Sequence, residues 1–343
     1  MVRLTLLLAL GATLAGCLPS SCNRVESSDI SAADSLSRQI VSGIRPDTLQ
    51  LVARLNGPPG RSMAYPRTVL FGSDGRLLAS DAERNSIFAF SAERLFMAEH
   101  SWDSLAVPYL AGIRGDTLLI LNPASGHIAF ALGDSLVRRI ALPGDLPLGV
   151  LRYAAASDTA IYFKATAKDF SGFIARIGDQ GHVRTRIELP GSEWRNAGLL
   201  RVWGDTLLSL SGFFPQVDLV DANLANPLDS MALMGFDSPM LRRTYAFRHG
   251  DTRQAPLITS SAAPLGDALY VLNMRPGWLR IDVFDRRGML QHVLLDREPV
   301  FDKQFYPIDL DVRHHAQGEV EIAVAVVQPT PEIRLYRWTR TNV

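Results

Sequence analysis

"GDTLLILN" (residues 115–122) is a polar turn running straight into an apolar strand, and the chain writes it again and again. It returns as "GDTLLSLS" (204–211) and "GDALYVLN" (266–273), with a looser "SDTAIYFK" at 157–164. Gly-Asp suits a tight hairpin, where short polar residues tolerate positive φ and hold the turn by side-chain hydrogen bonds. The recurrence is therefore read as structural, not catalytic. Anchoring on this turn places Gly75, Asp116, Asp158, Asp205, Asp267 and Glu319 at successive spacings of 41, 42, 47, 62 and 52 residues. That is the range of a propeller blade with four strands.

Each unit divides in the same way. In the second, "PYLAGI" is an inner strand, followed by "TLLILN", "HIAFAL" and an outer "LVRRIAL". The fifth repeats this with "LITSSAAP", "ALYVLN", "WLRIDVFD" and "LQHVLL". The sixth supplies only "IDLDVR", "EVEIAVAVV" and "EIRLYRW", and "TLQLVARL" (48–55) reads as its missing outer strand. Pairing the two ends of the chain would close the ring and cover its exposed edges. The expected fold is thus all-β, a six-bladed β-propeller of four-stranded blades over residues 47–343. The irregular stretch between the fourth and fifth anchors leaves a count of seven open.

The rhythm of these units resembles the six-bladed propellers of the TolB-like and NHL-like kind found in bacterial lipoproteins. The resemblance covers about residues 47–343 and rests on repeat spacing, not on a diagnostic motif.

Composition agrees with many short strands. The 343 residues are 47% hydrophobic, with 26 glycines and 20 prolines spread along the chain. The 35 basic and 35 acidic side chains balance, which excludes a generally basic nucleic-acid binder. The chain is read as a monomer.

The N-terminus is a separate segment. "MVRLTLLLALGATLAGC" has Arg3 and then an apolar run too short to span a bilayer but suited to the core of a secretory signal. Leu14-Ala15-Gly16-Cys17 resembles the bacterial lipobox. That resemblance implies a signal peptide over 1–16 and diacylglycerol on Cys17, with Leu18 favouring the outer membrane, facing the periplasm or the cell surface. Cys22 then has no cysteine partner. Residues 17–46 are rich in serine and read as a polar tether, with an N-terminal helix over 31–42 as the competing reading.

Strand order assigns the loops to two faces. One takes short polar hairpins such as "GSDGR", "RGDT" and "DRRG". The other takes the longer second-to-third loops and the crossovers: 57–67, 100–109, 190–198, 296–307 and, longest, 235–256. Aromatics and arginines gather there: Arg61, Tyr65, Arg67, Trp102, Tyr109, Trp194, Arg195, Arg242, Arg243, Tyr245, Arg248, Phe305 and Tyr306. Such residues are enriched at the centres of binding surfaces. Trp102, Trp194, Arg195, Arg242, Arg243, Tyr245 and Arg248 are the candidate binding residues, and the expected ligand is an envelope protein, a peptide or a glycan, bound without chemistry.

The alternative is a metal-dependent hydrolase or lyase. Propellers that resemble lactonases hold a divalent metal at the channel mouth. Here Asp81, Asn122, Lys164, Ser211 and Asn273 all end second strands, and Asp81, Asn122 and Asn273 are the candidate oxygen ligands for a cation such as calcium. The lysine in that column and the ordinary capping role of Asx residues argue against it. His314-His315 would point to opposite sides of a strand, and His249 has no identifiable nucleophile or orienting partner in the sequence. No catalytic residue and no resident cofactor is assigned.

Overall fold

The computed structural model describes residues 28–142, 151–166, 172–189, 195–224, 229–248, 250, 256–296 and 301–340. Cys17, Cys22, Trp194 and His249 lie outside them, as does the side chain of Arg248.

The described chain opens with helix α1 (Ser28–Ser42) and strand β1 (Asp47–Leu55). Four antiparallel sheets of four sequential strands follow. The first holds β2 (Pro66–Phe71), β3 (Leu77–Asp81), β4 (Ser86–Phe90) and β5 (Phe96–Ser101). The second holds β6 (Tyr109–Arg114), β7 (Thr117–Asn122), β8 (His127–Leu132) and β9 (Ser135–Ala141). The third holds β10 (Leu151–Ala156), β11 (Ile161–Thr166), β12 (Gly172–Ile177) and β13 (Val183–Leu189). The fourth holds β14 (Leu200–Trp203), β15 (Thr206–Leu210), β16 (Gln216–Asp221) and β17 (Asp229–Ala232). Helix α2 (Leu241–Arg248) then leads to β18 (Thr259–Leu265), β19 (Ala268–Asn273), β20 (Arg280–Phe284) and β21 (Leu290–Asp296). The last strands are β22 (Tyr306–His314), β23 (Glu319–Gln328) and β24 (Glu332–Thr339).

The final seven strands and β1 form one eight-stranded sheet in the order β18-β19-β20-β21-β1-β24-β23-β22. Strand β1 runs antiparallel to β24 from Gln50↔Arg337 to Leu55↔Ile333. It also runs parallel to β21 over three residues, Asp47↔Leu294 to Leu49↔Asp296. The molecule is an all-β propeller of four-stranded blades.

Local sequence explains these elements. Middle strands such as β4 "SIFAF" and β20 "RIDVF" are buried at every position, because sheets stacked face to face cover both sides. Outer strand β13 "VRTRIEL" instead alternates half-buried and exposed residues up to its last position. In the Gly-Asp hairpins, Arg114↔Thr117, Trp203↔Thr206 and Leu265↔Ala268 close two-residue loops. Gly115, Gly204 and Gly266 take φ of 57°, 65° and 58°, while the following aspartates stay out of the left-handed region. That is the pattern of a turn needing glycine first. The "SDTA" version has no glycine, and there Ser157 Oγ accepts the Ala160 N–H at 3.1 Å instead.

Two segments depart from the sequence reading. Much of the stretch read as a tether is α1, whose C-terminal part packs Ile40 and Val41, with Ile44 just beyond, against the core around Phe236 and Leu290. The long 235–256 loop holds α2, with Leu241 and Thr244 buried.

Candidate functional site

Inner strands of a propeller present one unpaired edge to the central channel, and their N–H groups need acceptors. Side chains from neighbouring inner strands supply them here. Thr68 Oγ1 accepts from Leu110 N at 3.0 Å, and Ser261 Oγ accepts from Leu310 N at 3.3 Å. Asp309 Oδ2 accepts from Val69 N at 2.9 Å, and Asp311 Oδ2 accepts from Phe71 N at 2.7 Å. The two carboxylates sit two residues apart on β22 and meet N–H groups two residues apart on β2. The strand period matches them.

Arg201, on β14, reaches across this centre. Its Nη2 donates to Asp309 Oδ1 at 2.9 Å and its Nη1 to the Tyr109 hydroxyl at 2.8 Å. Ser261 Oγ donates to the same Asp309 oxygen at 2.5 Å. Tyr153 meets Tyr109 edge-on at 5.8 Å. Arg67 lies over the Tyr109 ring at 5.6 Å, and its Nη1 donates to the Val107 carbonyl at 2.9 Å. Asp309, Tyr109 and Lys164 are buried, whereas Arg67, Asp311, Tyr65 and Tyr306 are half-buried.

Burial dominates the electrostatics. It raises the Asp309 carboxyl above its usual range, although Arg201 pulls the other way. It pushes Asp311 up to about 6 against the lowering effect of the Phe71 N–H. Tyr109 is raised by burial, with the neighbouring Arg201 opposing. The centre is thus a polar cluster held by one arginine, with burial raising the Asp311 carboxyl to about 6.

The strand-end column turns out to clasp the crossovers. Asp81 Oδ2 accepts the N–H groups of Ala64 and Tyr65 at 2.6 and 3.0 Å, and Oδ1 those of Glu83 and Arg84 at 3.0 and 2.9 Å. Asn122 Nδ2 donates to Ser104 O at 2.7 Å and Asn273 Nδ2 to Asp237 O at 2.9 Å. Lys164 Nζ donates to Gly198 O at 2.7 Å, and burial lowers its pKa to about 7 while Asp218 opposes. Ser211 Oγ accepts Phe214 N at 3.1 Å. Arg280 fills the cation's role near Asn273, donating to Asp282 Oδ1 at 2.6 Å while Asn273 Nδ2 donates to Asp282 Oδ2 at 2.7 Å. As arranged, both Asp81 oxygens are taken by backbone N–H groups, whereas Asn273 Oδ1 is buried without a hydrogen-bond partner. Among the described residues, no group of three or more His, Cys, Asp or Glu is placed to hold a metal ion.

Of the candidate binding residues, Trp194 and the Arg248 side chain lie outside the described residues, and the others occupy different settings. The Trp102 indole Nε1 donates to Asp134 O at 2.9 Å and its ring stacks on His100, so it packs against the β8–β9 hairpin and not on the long-loop face. Arg195 pairs with the buried Asp218. Arg242 and Arg243 are exposed on α2, and Tyr245 packs partly into the core. What the structure does assemble is Arg67 and Tyr109, from the long-loop inventory, with Tyr153, Arg201, Asp309 and Asp311.

No family model matches this chain, and no curated protein matches it. Solved structures do match. A luciferin-regenerating enzyme is 12% identical with a TM-score of 0.53, over 82% of this chain and 93% of that one. Regucalcin from Agrobacterium tumefaciens, a calcium-binding protein, is 13% identical with a TM-score of 0.52, over 87% and 98%. A virginiamycin B lyase from Staphylococcus aureus is 12% identical with a TM-score of 0.52, over 84% and 88%. At such identities the likeness is one of fold, and it is to β-propellers.

Proposed function

We propose that this chain is a six-bladed propeller, lipidated at Cys17, exported and anchored in the outer membrane, that binds an extended peptide or glycan at the mouth of its channel without chemistry. The count of six takes the eight-stranded sheet as two blades joined by the short parallel contact of β1 with β21. The Asp309–Val69 bond, which links the last inner strand to the first, supports this count.

One observation carries the binding reading. Arg67 is half-buried beside Tyr109, and among the described residues its one hydrogen bond goes to a backbone carbonyl, not to a carboxylate. A cation set among tyrosines offers both a donor fork and stacking surface to a polar polymer. The exposed Arg242 and Arg243 of α2 lie in a crossover that strand order assigns to the same face.

Crosslinking of the full protein in native membranes tests this. A near-stoichiometric partner should be captured, lost with Arg67→Glu and kept with Arg287→Glu on the hairpin face. Capture of nothing by the unaltered protein, or equal loss with both variants, removes the reading.

The second reading is a hydrolase or lyase at the channel. The named lyase, the regenerating enzyme and the calcium-binding protein among its fold neighbours favour it. Asp311 supplies a carboxyl suited to proton transfer near neutral pH. A calcium-dependent version would draw on Asn273 Oδ1, which is buried without a hydrogen-bond partner, and would need Asp81 to give up backbone N–H groups it now accepts. Stoichiometric calcium in purified protein, with a melting temperature lowered by chelator, would establish that version.

A further inference from the structure

A cavity of about 530 Å³ opens between α1 and the β18–β21 strands. Its volume lies within the ~300–1,000 Å³ typical of small-molecule sites. Ile44, just after α1, and Leu295 of β21 form its walls. Trp278 and Phe301 also line it, and they stay 49% and 51% exposed. Among the described residues, the only charged side chains lining it are Arg275 and Arg280, and no acid, hydroxyl or amide side chain joins them.

Asp237 and Asp282 face those two arginines, yet one guanidinium nitrogen is left without an acceptor. Arg280 is buried, and Nε and Nη1 are taken by Asp282 at 2.6 Å and Asp237 at 3.2 Å, while Nη2 has no hydrogen-bond partner. Among the described residues, the one acid in ion-pair reach of Arg275 is Asp237, at 3.9 Å, which Arg280 already uses. Burial, and then the Arg280 charge beside it, destabilise the Arg275 cation more than Asp237 and Asp282 support it. A buried donor without an acceptor is costly, so an anion delivered here gains more than one bound at an exposed arginine. The rest of the lining is apolar and would repel a small hydrated anion. Two half-exposed aromatics would be covered by a hydrocarbon chain.

We propose that this cavity binds a long-chain carboxylate, with its head at Arg275 and Arg280 and its chain against Ile44, Leu295, Trp278 and Phe301. Because Ile44 follows α1 directly, occupancy also fastens that helix to the propeller. None of Arg67, Tyr109, Arg201, Asp309 or Asp311 lines the cavity, so this proposal and the peptide or glycan reading can fail independently.

The test uses the full chain carrying Cys17→Ser, so that no acyl group of its own competes, titrated calorimetrically with dodecanoate. One saturable site per chain is expected, with affinity reduced about tenfold by Arg275→Gln. Arg275 is suited to substitution because the buried Asp282 is held by Arg280 and Asn273. Trp278→Ala should weaken binding, Arg67→Gln should not, and dodecyltrimethylammonium should show no saturable site. Dodecanoate should also slow amide exchange over residues 38–46. Absence of saturation up to about 1 mM, or equal binding to the Arg275→Gln variant, overturns the proposal. So does adsorption to phosphatidylglycerol vesicles that dodecanoate does not displace, which would make the patch a membrane contact.

Discussion

Asp309 Oδ2 accepts the backbone N–H of Val69 at 2.9 Å across 240 residues of sequence, while its other oxygen takes Arg201 and Ser261. One carboxylate therefore joins the inner strands β2, β14, β18 and β22.

Removing it should be severe. Asp309→Ala leaves Arg201 without its hydrogen-bonded carboxylate and Val69 N without an acceptor, a loss of about 3–5 kcal/mol. Urea denaturation measures this. The double variant Asp309→Ala, Arg201→Met should lose less than the sum of the two single changes.

Asp311 predicts an acid-range slope. Its folded pKa is raised to about 6, so between roughly pH 4 and pH 6 the folded state holds a proton that the unfolded state has released. Stability should fall as pH rises through that window, by an amount on the order of 3 kcal/mol. Denaturation curves across the window should show the slope, and Asp311→Asn should flatten it.

Lys164 predicts the opposite slope at higher pH. With its folded pKa lowered to about 7, the unfolded chain binds the extra proton between about 7 and 10.5. This contribution should rise with pH through that range and be complete above it. Lys164→Met should remove the rise, which the same denaturation series detects.

The closing strand predicts a change of assembly. Leu49 is fully buried in β1, so Leu49→Asp places a carboxylate in the core that β1 shares with β21 and β24. Releasing β1 bares the edges of β21 and β24. Size-exclusion chromatography should show larger assemblies for Leu49→Asp than for the unaltered protein.

Strand boundaries were legible because stacked sheets impose continuous apolar runs, and "TLLILN" and "ALYVLN" each fill one strand. The outer strand at 48–55 was legible for a related reason. Its alternation marks a half-covered strand with no neighbours in sequence to complete a sheet. Helix α1 was legible only as the competing reading over 31–42, since few apolar residues at its C-terminal end meet the propeller and its serines resemble a linker. The central cluster was also hidden. "IDLDVR" reads as ordinary alternation with a solvated polar face, yet in an inner strand that face meets the bare edge of β2. Acidic residues two apart on a strand assigned to the channel were the available signal. Trp102 was misplaced because a strand-end residue was assigned by topology, whereas its ring packs against the β8–β9 hairpin of the next sheet.

The double pairing of β1 has a mechanical consequence. A pull applied upstream of α1 meets first the packing of Ile40, Val41 and Ile44 and then, at Asp47, the start of the three-residue parallel contact with β21, before the longer antiparallel contact with β24. Force directed along the strand shears those ladder bonds together instead of peeling them one at a time. The strand that completes the sheet is also the one that takes tension arriving from the N-terminal side.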